Sequence, residues 1–189
     1  MKRPRLFPLR LRHGFTLLEL LTVITIIIIL AGMILAGMGY AQQKAAASRA
    51  QAEIAALSTA LESYKADNGE YPKDAATDAL DPSGSGNPAD YKTAGQTLYY
   101  SLRSDYDKDG KVDEIKDGDD NVVGRLKVYF EFKDSMLSTD KTAMVDPYGS
   151  TYGYSTKGTY NPTFDLWSTG GQTAAPTTDA IKGKWIKNW

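Results

Sequence analysis

Residues Phe15–Met38 read FTLLELLTVITIIIILAGMILAGM, an almost purely apolar run. Its only charge is Glu19, and no charged residue occurs from Leu20 to Gln43. An apolar run of roughly 20 residues is long enough to cross a bilayer as a helix. Upstream lies MKRPRLFPLRLRHG (Met1–Gly14), with five basic residues and no acid. A basic segment before an apolar span stays cytoplasmic, so the following chain is expected to be exported. An ordinary secretory signal fits poorly. The run exceeds the usual apolar core of ~7–15 residues, and no A-x-A-like cleavage site follows it.

Downstream of Ala41 the pattern turns amphipathic: AQQKAAASRAQAEIAALSTALESYKADNGEYP. Alanine, the strongest helix former, is frequent here. Ile54, Leu57, Leu61 and Tyr64 recur at spacings of three and four and make one apolar stripe. Asn68-Gly69 is a C-terminal stop, with Pro72 close behind. One helix from Phe15 to about Asp67 is therefore expected, roughly 80 Å long at about 1.5 Å per residue. Its first half (15–40) is apolar all round and needs lipid or copies of itself as cover. Its second half (41–68) needs only its stripe covered, by the domain that follows. Gly32, Gly37 and Gly39 in the first half suit close helix packing.

Glu19 needs a separate explanation. A carboxylate deep in a spanning helix costs about 2.5–3.5 kcal/mol on insertion scales, and such groups usually have a partner. No basic residue lies nearby on the apolar helix, so the partner is expected from elsewhere. Gly14-Phe15-Thr16-Leu17-Leu18-Glu19, with its basic leader and apolar run, resembles the processing motif of type IV pilins and type II secretion pseudopilins. The resemblance implies that a prepilin peptidase cuts between Gly14 and Phe15, removing residues 1–14, and methylates the new N-terminal Phe15. It also implies that Glu19 meets the amino group of Phe15 on a neighbouring subunit during assembly, a pairing strengthened by low dielectric. SYKADNGEYP (Ser63–Pro72), DPYGSTYGYS (Asp146–Ser155), TFDLWSTGG (Thr163–Gly171) and the terminal Trp185–Trp189 resemble the major pseudopilin of type II secretion in particular. Many pilins carry a proline near the position of Ala36. This chain has none there.

The exported part spans 69–189. Asp74–Gly95, rich in Ala, Asp, Ser, Gly and Pro, reads as a long loop, and Gly95–Arg103 as a short helix. Arg125–Phe132 (RLKVYFEF) places Leu126, Val128, Phe130 and Phe132 on one face and reads as a strand. Tyr152–Thr156 and Thr163–Ser168 read as two more. A small antiparallel sheet laid on the Ile54/Leu57/Leu61/Tyr64 stripe would close a modest core. The expected class is α+β: a long N-terminal helix packed on a small sheet, pilin-like. Tyr148, Tyr152, Tyr154 and Tyr160 suit core-edge packing with a wet hydroxyl, or else a stacking surface for carbohydrate.

Asp105-Tyr106-Asp107-Lys108-Asp109-Gly110-Lys111-Val112-Asp113-Glu114 is the sharpest chemical signal. Asp at alternate positions followed by Gly matches the opening of an EF-hand-type calcium loop. Lys111 would offer its backbone carbonyl. The closing Glu is replaced by Lys116, so Asp113, Glu114 or Asp117 would supply the last carboxylate. From Asp105 to Asp120 there are eight acids and three bases. Such a cluster repels itself unless it is solvated or metal-bound. The resemblance implies a second calcium loop after the last strand, here Ser168–Ile181. Asp179 matches one of its two acids, and Gly170-Gly171 stands in place of the other.

Catalysis is not expected. The chain of 189 residues has no Cys and one His, His13, which lies in the leader. No phosphate loop, nucleophile elbow or HExxH motif occurs. Without the leader's five bases, 17 of the chain's 22 remain against 23 acids, so nucleic acid is not an expected partner. The resemblance implies a structural subunit of a type II secretion pseudopilus or related filament. Such a subunit passes once through the inner membrane before assembly and forms a periplasmic or extracellular homo-oligomeric helical filament after it. Its partners would be the prepilin peptidase, an inner-membrane assembly platform and minor pseudopilins. The alternatives are an adhesive or DNA-uptake pilin, and a membrane-anchored calcium-binding module that does not polymerise.

Overall fold

A computed structural model of the chain describes residues 14–84, 87–173 and 178–189. The expected leader lies outside the described residues except for Gly14. Helix α1 runs unbroken from Leu17 to Asn68, 52 residues. It stops where the sequence predicts. Gly69 takes a left-handed conformation (φ +83°) and returns its N–H to the Lys65 carbonyl at 2.7 Å. That geometry suits glycine, which has no Cβ to clash.

Two compact units divide the chain, one ending at Gln43 and a head from Lys44 to Trp189. In the first, the apolar part of α1 has no cover of its own. Leu17, Leu18, Ile28, Met33 and Leu35 are each at least 65% exposed. It is the one segment among the described residues long and apolar enough to cross a membrane.

The head has its own core. The expected stripe holds: Ile54, Leu57 and Leu61 are at most 1% exposed. They pack with Leu98, Leu102, Tyr152, Tyr154, Phe164 and Leu166. Burying each such aliphatic side chain contributes about 1.5–3 kcal/mol, so the stripe is what holds this part of α1 to the head. The opposing sheet is antiparallel in the order β3 (Gly153–Ser155), β4 (Asp165–Ser168), β5 (Ile186–Lys187). Tyr154 faces Leu166 and Gly153 faces Trp167 in its register. The two expected strands at Tyr152–Thr156 and Thr163–Ser168 thus form and pair with each other. A second small cluster joins Tyr91, Trp167 and Trp185. Tyr152 and Tyr154 are core residues, and Tyr160 stacks on Trp189 with centroids 4.6 Å apart.

Two expectations fail. Asp74–Gly95 is not one loop. It holds α2 (Ala75–Ala79), a 3-10 turn at Pro88–Tyr91, and the first residues of α3 (Lys92–Arg103). Capping chemistry starts both short elements. Asp74 Oδ1 accepts the N–H groups of Ala76 and Thr77 at 2.9 Å, and Thr77 Oγ1 accepts the Asp74 N–H at 2.9 Å. Asn87 accepts the Ala89 N–H, with Pro88 at the first helical position.

The second failure is the strand at Arg125–Phe132. Only Val122–Arg125 is a strand (β2), paired with β1 (Glu114–Lys116) in a separate two-stranded sheet. Beyond it the chain turns to the end of α3, where Tyr129 and Phe130 donate their N–H groups to the Leu102 carbonyl. An orphan helix-terminal carbonyl took the bonds that a partner strand would have needed. Val128 is left 42% exposed, off the face the alternation implied.

Candidate functional site

The N-terminal segment is built around Glu19. Thr16 immediately precedes α1, and Glu19 sits three residues on. Glu19 Oε2 accepts the Thr16 N–H at 2.9 Å and the Thr16 hydroxyl at 2.8 Å, and Thr16 Oγ1 accepts the Glu19 N–H at 3.2 Å. This is a reciprocal capping box, which satisfies the otherwise orphaned donors of a helix start. Within its own chain, Glu19 therefore has a local partner as well as the intersubunit one expected from the sequence. Both carboxylate bonds fall on Oε2, and Oε1 takes none among the described residues. The signal was present as Thr16-x-x-Glu19. Phe15 lies just before the helix and is 83% exposed, beside the equally exposed Gly14.

The acidic loop lies between α3 and β1. Its chain folds back where Gly110 adopts φ +84° and Lys108 φ +62°. The loop is closed at its base: Asp113 donates its N–H to the Ser104 carbonyl at 2.8 Å, and the Tyr106 N–H reaches Asp113 Oδ2 at 2.8 Å. Asp105, Asp107 and Asp109 are brought together, with one oxygen of each within 4.8 Å of the others. Asp105 is fully buried and the other two are exposed. Asp105 Oδ2 accepts the Gly110 N–H at 3.1 Å, while its Oδ1 is buried without a hydrogen-bond partner. Burial pushes the Asp105 carboxyl above the usual carboxylate range. Repulsion from Asp109 and Asp107 adds to this; Arg103 and the Gly110 N–H oppose it.

The remaining candidates are placed differently. Asp113 closes the loop and is not part of the three-carboxylate group. Asp117 belongs to the β1–β2 turn. It accepts the N–H groups of Asn121 and Asp119, which hold its carboxyl below the usual range. Lys111 points its ammonium to Asp109 Oδ2 at 3.7 Å. Arg103 was not anticipated; its guanidinium donates to the Gly110 carbonyl and the Tyr99 hydroxyl. At the other loop, Asp179 opens the short helix α4 (Asp179–Lys182) and is exposed. The glycines Gly170 and Gly171 bring no side-chain oxygen. Residues 174–177 of that loop lie outside the described residues. Asp179 is the one carboxylate among the described residues of the Ser168–Ile181 loop.

Comparison with known proteins agrees with the geometry. Residues 38–124 match the family model of type II secretion system protein G. Residues 9–35 match that of the prokaryotic N-terminal methylation motif. The type II secretion system core protein G of Pseudomonas aeruginosa is 28% identical over 93% of this chain and 96% of its own. That of Aeromonas hydrophila is 38% identical over 46% of this chain and 62% of its own. The Escherichia coli protein of the same description is 43% identical over 32% of this chain and 42% of its own. No solved structure gives a significant match.

Proposed function

We propose that the chain is a member of the type IV pilin-like family, in the group of the type II secretion major pseudopilins it is similar to, and a filament subunit that passes through two environments. It is a building block and not a catalyst. Before assembly its apolar half-helix sits in the inner membrane as a single span, with the head exported. Prepilin peptidase frees the amino group of Phe15. An assembly platform and minor pseudopilins then start a homo-oligomeric helical filament, in which copies of the same half-helix replace lipid as cover.

One observation carries this reading: the half-helix from Leu17 to Leu35 is exposed at every position and opens on a carboxylate with one oxygen that takes no bond among the described residues. Lipid satisfies the apolar surface but not that oxygen. An ammonium from a neighbouring Phe15 satisfies it, because a cation beside a carboxylate in a low-dielectric core is strongly favoured. Only one axial stagger brings the two groups together, so the pair also sets the register between subunits. The capping box keeps the other oxygen, Oε2, satisfied on the membrane side of that transfer.

The test is to express the chain with its peptidase and platform and follow processing and filaments separately. Glu19→Ala is expected to be cleaved normally and to yield no filament in sheared fractions by electron microscopy. Normal filaments from that variant would overturn the pairing. Absence of cleavage in the parent chain would overturn the reading as a whole.

A further inference from the structure

We propose that the loop from Asp105 to Asp113 binds one hard divalent cation, calcium by the character of its donors, with Asp105 as the buried anchor. The starting point is an unmet requirement. Asp105 is fully buried, and its Oδ1 has no hydrogen-bond partner. A buried carboxylate oxygen without a donor is costly, since it has lost water and gained nothing. The oxygens of Asp107 and Asp109 lie within 4.8 Å of an Asp105 oxygen. Three carboxylates so close repel one another, and burial of Asp105 strengthens the repulsion by lowering the local dielectric.

Among the described residues, the cations beside the group neutralise it only in part. Arg103 is turned to the Gly110 carbonyl and the Tyr99 hydroxyl. Lys108 lies over the Tyr100 ring, 5.4 Å from its centroid. Lys111 reaches only Asp109, at 3.7 Å, with a side chain 82% exposed. A dication among the three oxygens would remove the repulsion and give Asp105 Oδ1 its partner.

The donor set selects the ion. All candidate ligands are oxygen, and the mature chain has neither Cys nor His, which removes the softer transition metals. One carboxylate is buried and two are exposed, which leaves room for water in the coordination shell. Calcium accepts six to eight oxygens in flexible geometry, whereas magnesium demands a strict octahedron and sheds water reluctantly. Two independent observations therefore coincide: the spacing Asp-x-Asp-x-Asp-Gly, and a buried oxygen that the fold leaves without a donor. The absence of a closing bidentate Glu places the expected affinity in the range of extracellular calcium modules, roughly 10⁻⁴–10⁻³ M.

The ion would act as a fastener. The loop joins the end of α3, where Ser104 is a left-handed cap (φ 58°), to the base of the β1–β2 sheet, where Leu126 donates its N–H to the Asp113 carbonyl.

The experiment uses the full chain in non-ionic detergent, stripped with chelator and titrated with CaCl₂ by calorimetry and thermal melting. Terbium is the optical probe, sensitised by Tyr106 next to Asp105. The expected result is one ion per chain, a rise in melting temperature, and terbium emission displaced by calcium. Asp105→Asn should abolish the response, and the exposed Asp107→Ala should weaken it at least about tenfold without unfolding the head. In chelator, Asp107→Ala should melt close to the parent, because the repulsion it removes offsets the exposed Asp109 N–H bond that Asp107 Oδ1 accepts at 3.0 Å; an acid with a purely structural role would lose stability there. Asp179→Ala should leave every readout unchanged. No heat or thermal shift at millimolar calcium, or a response that survives in both Asp105 and Asp107 variants, would overturn the proposal. An equal shift with magnesium at the same concentration would overturn the choice of calcium.

Discussion

The hydroxyl of Tyr152 donates a 2.7 Å hydrogen bond to Glu53 Oε2 across 99 residues of sequence, inside the head. Tyr152 is fully buried and Glu53 is 8% exposed. The second carboxylate oxygen is held by Arg49 at 2.8 Å. This bond ties α1 to the edge of β3, and the helix stripe and the sheet meet around it.

Tyr152→Phe removes that donor and leaves a buried carboxylate with Arg49 alone. A hydrogen bond to a charged group is worth about 1.5–3 kcal/mol. For a head of this size that corresponds to a melting temperature lower by roughly 3–12 °C. Thermal melts of the full chain in detergent measure it, and a parent-like midpoint would show the bond to be dispensable.

Gly153 tests packing instead of polarity. A Cβ there would lie 2.1 Å from Trp167 Cε2, and the indole is fully buried against Tyr91 and Trp185. Gly153→Ala is expected to be strongly destabilising, above the roughly 1–3 kcal/mol typical of overpacking. Gly110→Ala is the contrast. Its Cβ meets open space but its backbone stands at φ +84°, so the cost is strain alone, about 1–2 kcal/mol. Denaturant midpoints should therefore fall further for Gly153→Ala. The reverse order would contradict the register of β3 on β4.

Acid should loosen the head. Asp81 accepts from Lys157 Nζ at 2.7 Å and from the Ser83 hydroxyl and N–H, which hold its carboxyl far below the usual carboxylate range. Ser138, Thr142 and Lys92 do the same for Asp140. A carboxyl depressed in the folded state adds stability above its unfolded pKa, near 4, and loses it as pH falls through the folded value. These two groups should thus lower the melting temperature as pH falls below about 4. Lys157→Met should flatten part of that fall, and an unchanged slope would remove Asp81 from its cause.

Thr16→Ala strips the capping box while leaving Glu19 charged. Loss of an N-cap side chain costs about 1 kcal/mol, concentrated in the first turn. Faster amide exchange at Leu17–Leu20 in micelles is expected for Thr16→Ala, with Thr16→Ser close to the parent. Uniform exchange in all three would mean that the box does not hold the helix start.

The parts legible from sequence were those fixed by local composition or strict spacing. The limits of α1, its apolar and striped halves, the strands at Tyr154 and Leu166, and the grouping of Asp105, Asp107 and Asp109 all follow from period or spacing. The misreadings concern backbone groups whose partners lie far off. RLKVYFEF alternates like a strand, yet the Leu102 carbonyl of α3 captured its N–H groups. Asp74–Gly95 has a loop's composition, yet Asp74-x-x-Thr77 and Asn87-Pro88 are helix starts in capping terms. Thr16-x-x-Glu19 is equally a capping box in sequence terms. No pattern in the sequence marks Asp105 as the one buried acid of its group.

The β1–β2 sheet has one more consequence. Among the described residues its two strands pair only with each other, and Val122 and Val123 stand 52% and 63% exposed at the surface. Two strands alone are marginal in water. What anchors them is the closed loop at their base. If that loop opens, the hairpin becomes a protease's entry point while the Ile54–Leu166 core still stands. Limited proteolysis would then cut first within the hairpin and leave that core intact.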